Sequence, residues 1–361
     1  MRTVVVLSLL ACSLIAACAD PAPPADTAAK TAAEKPAEPP PFTVDKAKLQ
    51  AFAPLPEVFG DPAALTDAKV QLGRTLFHDL RFSRAQDVSC NSCHTLEKFG
   101  VDGQPMSTGF KGQKGGRNSP TVLNAAGHFV QFWDGRSPDV EDQAKGPVLN
   151  PVEMAMKSDK DVVVMLKSIP GYGPLFTAAF PGDKDPVSWD NFAKAVGAFE
   201  RKLSTPAKFD AYLKGDEKAL SDDEKKGLVA FIDTGCTACH MGALLGGSMY
   251  QKAGLVKPWP TDKDAGRFGV TKNEAEKFFF KVPSLRNVEK TAPYFHDGSV
   301  ASLEEATKMM GRHQLGKELT DAETATIVTF LKTLTGELPK DLIAVPILPD
   351  SGPKTPKPVK S

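Results

Sequence analysis

The chain has 361 residues, enough for two or three domains. Its 41% hydrophobic and 24% charged residues match ordinary globular usage and exclude a wholly disordered, collagen-like or membrane-bundle chain. Lysine plus arginine number 44, as do aspartate plus glutamate, so there is no basic excess to neutralise phosphates and no nucleic-acid partner is expected.

The amino terminus has the features of an export signal. The apolar run after Arg2 is too short to span a bilayer, and residues 1–17 are therefore predicted to be a cleaved signal peptide. The run ends at Cys18 in a pattern that resembles the bacterial lipobox, which predicts a lipid anchor; plain cleavage with an unmodified Cys18 is the alternative. Residues 18–42 are predicted to be a disordered tether, and residues 346–361 a flexible tail, because neither contains enough large apolar residues to fold. The predicted location is the periplasm.

Four cysteines occur in two pentapeptides of the same form, Cys90-Asn91-Ser92-Cys93-His94 and Cys236-Thr237-Ala238-Cys239-His240. An exported chain usually forms disulfides from an even number of cysteines, and Cys-x-x-Cys pairs also hold zinc or exchange thiols. The histidine directly after each pair favours haem instead. On one helical turn, residues i and i+3 form thioethers to the haem vinyl groups, while residue i+4 supplies an imidazole to the iron. Two covalently bound c-type haems are predicted, with two disulfide hairpins as the alternative.

The sequence after each pentapeptide is repeated. A Pro-x-x-x-Asn segment is followed by an Asp-Gly pair, and the distance from Pro120 to Asp134 and from Pro283 to Asp297 is 14 residues in each copy. A repeat of this kind predicts two tandem units of the same fold. We expect two cytochrome c-like haem domains, residues 43–204 and 205–345.

Apolar residues at three- and four-residue spacing predict a mainly α fold. The helices predicted in this way are 67–80, 159–169, 187–203, 222–233, 302–310 and 321–334. A helix is also predicted around His128, and no stretch alternates for long as a strand would. The many prolines and glycines, 30 and 29, predict long ordered loops between these helices.

Residues 50–340 resemble the bacterial dihaem cytochrome c peroxidases, to which the dihaem enzyme of methylamine utilisation is related. The stretches that show the resemblance are 117–124, 131–136, 291–296 and 310–316. It implies an enzyme that reduces hydrogen peroxide to water at the amino-terminal haem. Electrons from a small periplasmic cytochrome c or cupredoxin would enter at a carboxy-terminal haem with histidine and methionine ligands, in a homodimer.

The resemblance assigns Met310 as the methionine ligand of the second haem. A thioether favours ferrous iron and raises the potential, as an electron-accepting haem requires. Met309 is adjacent, and two methionines near a helix end are more typical of core packing. The match of Met310-Gly311 to the family motif selects Met310. It also disfavours a protein-oxidising centre, since the methylamine enzyme uses a tyrosine at this position.

One position departs from the family pattern. Members that rest in an inactive state place a second histidine over the first iron, and the residue at that position here is Phe110. Because phenylalanine cannot ligate iron, we expect this haem to be open or water-bound. His78, His128 and Met106 are other candidate ligands, but a structural role for the histidines and an exposed loop position for the methionine are simpler interpretations.

The resemblance assigns three residues to the peroxide chemistry. Glu153 corresponds to the distal glutamate, Gln143 to the distal glutamine and Trp133 to the tryptophan between the haems. Between apolar Val152 and Met154, a carboxyl is partly desolvated, which raises its pKa and suits it to take and return a proton. The alternatives are a surface carboxylate at Glu153 and an ordinary buried indole at Trp133.

The resemblance also implies one calcium ion between the domains. Asn118, through its side chain, and Thr291 and Pro293 stand at the matching positions, and oxygen ligands suit this hard cation. Two functions compete with the peroxidase. One is a dihaem electron carrier without turnover, in which Phe110 blocks the distal pocket, and the other is a dihaem oxidant of another protein.

Overall fold

The computed structural model describes residues 41–359, so the predicted signal peptide and Cys18 lie outside the described residues. The α-helices are α1 (Asp67–His78), α2 (Cys90–Cys93), α3 (Val140–Leu149), α4 (Asp159–Ser168), α5 (Tyr172–Ala179), α6 (Trp189–Glu200), α7 (Lys208–Leu213), α8 (Asp222–Thr234), α9 (Phe268–Thr271), α10 (Leu303–Met310), α11 (Asp321–Lys332) and α12 (Lys340–Ile343). Strands β1 (Tyr250–Lys252) and β2 (Phe279–Lys281) pair in antiparallel register, with Gln251 opposite Phe280. Within residues 41–359, no single helix is long and apolar enough to cross a bilayer; α4 and α5 reach that length only together, across a bend of 109°.

The six helices predicted from apolar spacing are all present, with ends within three residues of the predicted ones. Each starts directly after a serine or threonine whose hydroxyl accepts a backbone N–H of the first turn. Such caps satisfy donors that the helix itself leaves free, which is why the starts agree best. The predicted helix at His128 is wrong. A 3₁₀ turn ends at Gly127, and His128 has extended backbone with φ −72° and ψ 146°.

Two helices of the first half, α3 and α5, were not among those predicted. α3 contains Gly146 and Pro147, residues that normally weaken a helix, but Asp139 caps its first turn by accepting from the N–H of Asp142. α5 is only eight residues long and begins without a side-chain cap. Burial of Tyr172 and Phe176 in the core stabilises it where local signals are weak.

The described residues contain two large buried clusters of apolar side chains. The first is formed within residues 65–203 and the second within residues 44–52 and 209–334. Each cluster is built on a close pair of helices, α1 with α6 and α8 with α11. A glycine lies at each crossing: a Cβ on Gly73 would be 1.9 Å from the carbonyl oxygen of Ala195, and one on Gly227 would be 2.5 Å from that of Thr326. The two backbones of each pair meet at these glycines.

We expect Gly73→Ala to destabilise the folded protein by about 1–3 kcal/mol, because the methyl group must displace the backbone of α6. Gly173→Ala in α5 is the matched control. It has no atom within 4 Å of the added Cβ, so it should raise stability by about 0.4–1 kcal/mol by restricting the unfolded chain. Urea unfolding of the haem-loaded protein measures both. Equal stability of the two variants would contradict the close crossing.

The repeat seen in the sequence is also a repeat of backbone conformation. Corresponding residues have matching positive φ angles: Asn124 and Asn287 (61° and 61°), Phe132 and Phe295 (65° and 70°), Gly135 and Gly298 (67° and 59°). Each Asp-Gly turn is closed by an antiparallel bridge, Gln131 with Ser137 and Tyr294 with Val300. The two copies therefore form the same local structure.

Thr205, which is fully buried, connects the two copies. The side-chain amides of Asn124 and Asn287 donate to its hydroxyl oxygen at 2.8 and 2.9 Å. The carbonyl oxygen of the Asn124 side chain accepts from the Thr205 N–H at 2.9 Å. Because unpaired buried polar groups are costly, these bonds hold the two repeat loops against one connecting residue.

The residues after α11 return to the first cluster. Leu338, Leu342 and Ile343 pack against it. Further along, the guanidinium of Arg81 donates to the hydroxyl of Ser351 at 3.0 Å, and the N–H of Val359 donates to the carbonyl of Arg84 at 3.0 Å. The segment predicted as a flexible tail thus lies along the first half of the chain up to residue 359.

Candidate functional site

Both Cys-x-x-Cys-His pentapeptides form one helical turn. The N–H of His94 donates to the carbonyl of Cys90 at 2.9 Å, and that of His240 to Cys236 at 3.0 Å. The four cysteines are unpaired in the part of the chain that the structure describes. Nor do three His, Cys, Asp or Glu side chains converge within residues 41–359 as a zinc site requires.

The thiols of these motifs do not have the chemistry of a redox pair. Burial raises the pKa of Cys90 to about 12 and that of Cys236 to about 11, so both are protonated at neutral pH. Thiol exchange needs a thiolate, which reactive cysteines obtain from a lowered pKa. Burial therefore disfavours thiol exchange at Cys90 and Cys236.

A large cavity opens beside the second pentapeptide. It encloses about 1780 Å³ of space, its open mouth included, and its lining is mostly apolar. Cys236, Cys239 and His240 line one part of it, and Met310 lines it as well. Met309, in contrast, is buried in the second apolar cluster. Of the two adjacent methionines, Met310 is therefore the one that faces the cavity of His240.

His240 is oriented by a bond to the backbone. Its Nδ1 donates to the carbonyl of Leu245 at 2.9 Å, which leaves Nε2 as the nitrogen with a free lone pair. Burial lowers the pKa of this imidazole, so it is neutral, as a metal-binding histidine must be. This tautomer and orientation are those of an iron-ligating histidine.

The segment that follows Met310 is hydrogen-bonded to the end of β1 and the loop after it. A π-helical turn, Gly311–Leu315, continues α10. From it, the side-chain amide of Gln314 donates to the carbonyl of Lys252 at 3.0 Å and accepts from the N–H of Leu255 at 2.8 Å. These bonds connect the Met310 segment to the loop after β1.

Glu153 lies near the first pentapeptide. Its charge raises the pKa of the Cys90 and Cys93 thiols, although burial is the larger cause for both. Burial likewise raises the pKa of Glu153, against the opposing effects of Arg136 and of the Asn150 amide, which donates to Oε1 at 2.9 Å. The desolvation expected from its apolar neighbours is confirmed. Gln143 is half-buried on α3, and no hydrogen bond joins it to Glu153 among the described residues.

Phe110 and Glu153 are direct neighbours. The N–H of Phe110 donates to the carbonyl of Glu153 at 2.8 Å, and a Cβ on Gly109 would lie 2.2 Å from the carbonyl oxygen of Val152. The Phe110 ring is buried, with the guanidinium of Arg84 at 5.5 Å from its centroid. The residue at the position of the family's second histidine thus packs against the segment that carries the candidate acid–base residue.

Trp133 directly precedes the Asp-Gly pair of the first repeat copy and lines the large cavity. Its indole N–H donates to the carbonyl of Asn118 at 2.9 Å, and its ring lies 6.3 Å from that of His296. The carbonyl of Trp133 accepts a hydrogen bond from the N–H of Lys281 at 2.8 Å, which links the backbone of Trp133 to β2.

Asn118, Thr291 and Pro293, the three residues assigned to calcium, line the same cavity. The amide nitrogen of Asn118 donates to the carbonyl of Gln104 at 3.0 Å. Its Oδ1 accepts no hydrogen bond among the described residues, so this oxygen is free for another partner. An oxygen-only ligand set is the type that calcium prefers.

Several polar residues near these motifs were missed from the sequence. Arg117 forms ion pairs with Asp134 at 2.6 Å and with Asp264 at 2.6 Å, and Arg84 has a buried Nε without a partner among residues 41–359. His128, expected to be structural, accepts at Nδ1 from the ammonium of buried Lys281 at 2.9 Å. Arg117 and Asp134 belong to the stretches that carry the resemblance, which is the signal that pointed to them. Nothing local marked Lys281, because its partners come from a distant part of the chain.

Comparison with known proteins identifies the family. A family model described as di-haem cytochrome c peroxidase matches residues 67–218. The cytochrome c551 peroxidase of Pseudomonas aeruginosa is 46% identical over 318 residues, which is 86% of this chain and 90% of the relative. The chain belongs to the di-haem cytochrome c peroxidase family. The cytochrome c551 peroxidase of Nitrosomonas europaea is 47% identical, covering 80% of this chain and 85% of the relative.

A solved structure agrees with this di-haem cytochrome c peroxidase assignment. The crystal structure of a MauG-like protein associated with microbial copper homeostasis matches with a TM-score of 0.70 and 29% identity, covering 85% of this chain and 97% of that one. Membership of the di-haem cytochrome c peroxidase family implies two haems. The residues fit such a group at the second pentapeptide, where a largely apolar cavity, an oriented neutral histidine and a methionine thioether occur together.

Proposed function

We propose that this chain reduces hydrogen peroxide to water with electrons taken one at a time from a small periplasmic cytochrome c or cupredoxin. Relatives that are 45–47% identical are named cytochrome c peroxidases. The supporting observation is Glu153, a half-buried carboxyl with a raised pKa, near the first pentapeptide and bonded through its backbone to Phe110. Peroxide cleavage requires a group that can take up and return a proton, and a raised pKa suits a carboxyl to this role.

The two haems would be attached covalently, one through Cys90 and Cys93 and the other through Cys236 and Cys239. The corresponding domains would be residues 43–204 and 205–345, each a cytochrome c-like unit. Two separate apolar clusters and the repeated loop conformations support this division. The main parts of the clusters, 65–203 and 209–334, support a boundary near Thr205. Residues 44–52 nevertheless pack in the second cluster, and Leu338, Leu342 and Ile343 pack against the first, so the outer limits of the two domains differ from those predicted.

Each haem, when bound, supplies an iron centre that exchanges single electrons. His94 and His240 would ligate the two irons, and Met310 would be the second ligand at the carboxy-terminal site. Glu153 would take a proton from one peroxide oxygen and return it to the other as the O–O bond breaks. The Asn150 amide orients the Glu153 carboxyl for this transfer.

Gln143 and Trp133 are the two further residues assigned to the peroxidase reaction. We propose that Gln143 assists at the distal side of the first haem and that Trp133 lies on the electron path between the haems. The position of Trp133 on the cavity wall and its bonds to Asn118 and Lys281 support that path. One calcium ion bound by Asn118, Thr291 and Pro293 would hold this segment in place.

Export to the periplasm, lipid anchoring through Cys18 and assembly as a homodimer are further parts of the proposal. The first two rest on the sequence of the amino terminus, which lies outside the described residues.

The proposal is tested by mixing the oxidised protein with hydrogen peroxide and a reduced cytochrome c and recording the absorbance of the donor. Peroxide-dependent oxidation of the donor with repeated turnover supports the peroxidase. Donor oxidation limited to two electrons for each chain, whatever the peroxide concentration, would indicate an electron carrier instead.

We expect Met310→His to lower the potential of the carboxy-terminal haem markedly, because imidazole stabilises ferric iron relative to a thioether. Spectroelectrochemical titration measures this, with Met309→Leu as the control because Met309 packs in the apolar cluster. An unchanged potential in Met310→His would remove Met310 as the ligand.

A further inference from the structure

Lys281 is a buried amine without a carboxylate at ion-pair distance among residues 41–359, and burial lowers its pKa to about 7. Lys281 is the last residue of β2 and is only 6% exposed. In the described part of the chain, no carboxylate oxygen lies within 4.0 Å of its Nζ. Nζ donates to Nδ1 of His128 at 2.9 Å and to the carbonyl of Val130 at 3.1 Å. An ammonium has three donors, so one N–H is left over. The charge of Asp134 opposes this effect of burial only in part, so the described residues by themselves lack a close anion that would keep Lys281 protonated.

His128 adds a second donor directed away from Lys281. Because its Nδ1 accepts from Lys281, the ring proton is on Nε2, and this nitrogen is buried without a partner among residues 41–359. The ring is held in place by the loop after the second pentapeptide: a Cβ on Gly247 would lie 2.3 Å from the His128 ring, and the N–H of Phe129 donates to the carbonyl of Gly247 at 2.9 Å.

Both residues line the large cavity that His240 and Met310 also line. The cavity therefore combines an apolar wall with a buried lysine amine that has an unused N–H, and with a histidine whose Nε2 is buried without a partner among residues 41–359. A carboxylate satisfies such a set best, since it accepts several hydrogen bonds and neutralises the ammonium. The group that would enter this cavity is a haem, which has two propionate carboxylates on the edge away from its vinyl groups.

We propose that Lys281 and His128 bind a propionate of the haem attached through Cys236 and Cys239. The inference rests on the proposed function, since it needs a haem in this cavity. Lys281 also donates its backbone N–H to the carbonyl of Trp133, so the same residue connects the propionate site to the Asp-Gly loop of the first repeat copy. Lys281 and His128 are positioning residues for this haem, and the charge of Lys281 raises its potential by stabilising the reduced form.

The test uses the protein with both haems loaded, and it compares Lys281→Met, Lys281→Arg and His128→Asn. Lys252→Met is the matched control, because it removes the same charge from an exposed position on the neighbouring strand β1. Two measurements are made: spectroelectrochemical titration of each haem, and the propionate bending band in the resonance Raman spectrum of the half-reduced protein. We expect Lys281→Met to shift the high-potential step downward and to shift the propionate band. Lys281→Arg should stay close to the unmodified protein, and Lys252→Met should leave both measurements unchanged.

His128→Asn keeps a polar side chain while removing the Nε2 donor, and it should shift the propionate band even if Lys281→Met does not fold. Unchanged potential and band in both Lys281→Met and His128→Asn would overturn the proposal. A shift confined to the low-potential haem would also overturn it, because the carboxylate would then belong to the other haem. Mass analysis of peptides around Cys236 first checks that a haem is attached there. Peroxide-dependent turnover of the unmodified protein is measured separately, so failure of the proposed function is distinguished from failure of the propionate site.

Discussion

The oxidised protein is expected to react with hydrogen peroxide without prior reduction. In the family it resembles, a histidine over the first iron must leave before peroxide binds, and this release is coupled to reduction of the other haem. Phe110 occupies that position, is buried, and cannot ligate iron. An electron spin-resonance spectrum of the oxidised protein should therefore contain a high-spin signal from an open or water-bound haem, and stopped-flow mixing with peroxide should show a reaction in its first phase.

Installing a ligand at this position should restore the requirement for reduction. Phe110→His is expected to convert the first haem to a low-spin, slowly reacting form that becomes reactive after half-reduction. Phe110→Leu is the matched control, because leucine is also apolar and cannot ligate iron, and it should remain reactive. Two low-spin haems in the unmodified protein, together with no reaction until it is reduced, would contradict this expectation and identify another ligand such as Met106.

Glu153→Gln should lower peroxidase turnover by about 10²–10⁴, the usual contribution of a positioned acid–base group. Glutamine keeps the size of the side chain and can still bond to Asn150, but it cannot take up and return a proton. Steady-state oxidation of a reduced cytochrome c measures the loss, and the absorbance of the haems checks that both are still attached. Turnover close to that of the unmodified protein would show that Glu153 is not the proton carrier.

The pH profile gives this prediction a second readout. Burial raises the pKa of Glu153, and its role as proton acceptor needs the ionised form. Turnover of the unmodified protein should therefore fall as the pH drops through a pKa above the usual range of glutamate, and Glu153→Gln should lack this acid limb. Glu97→Gln, an exposed carboxyl three residues after His94, is the matched control and should keep both the rate and the limb.

Much of the candidate site could be predicted from the sequence, because its residues lie close together along the chain. A Cys-x-x-Cys-His pentapeptide places all three haem-attaching residues on one turn, so the sequence spacing already contains the geometry. The raised pKa expected for Glu153 is also found, and burial is its cause. Met310 needed more: apolar periodicity favours both methionines equally, so the choice of Met310 rested on the family resemblance, and the cavity supports it by separating Met310 from buried Met309.

The sequence by itself determined the helical starts, the two pentapeptides and the repeat, because capping residues, one-turn motifs and turn glycines act within a few residues of the chain. Only the tertiary structure decided which residues meet across long separations. Phe110 is hydrogen-bonded to Glu153, and Lys281 to His128. The hydroxyl of Thr205 accepts hydrogen bonds from one asparagine of each repeat copy. These contacts form only when the two halves of the chain pack around their apolar clusters. Such packing depends on the shape and burial of side chains across the whole fold, and a local sequence pattern does not contain that information.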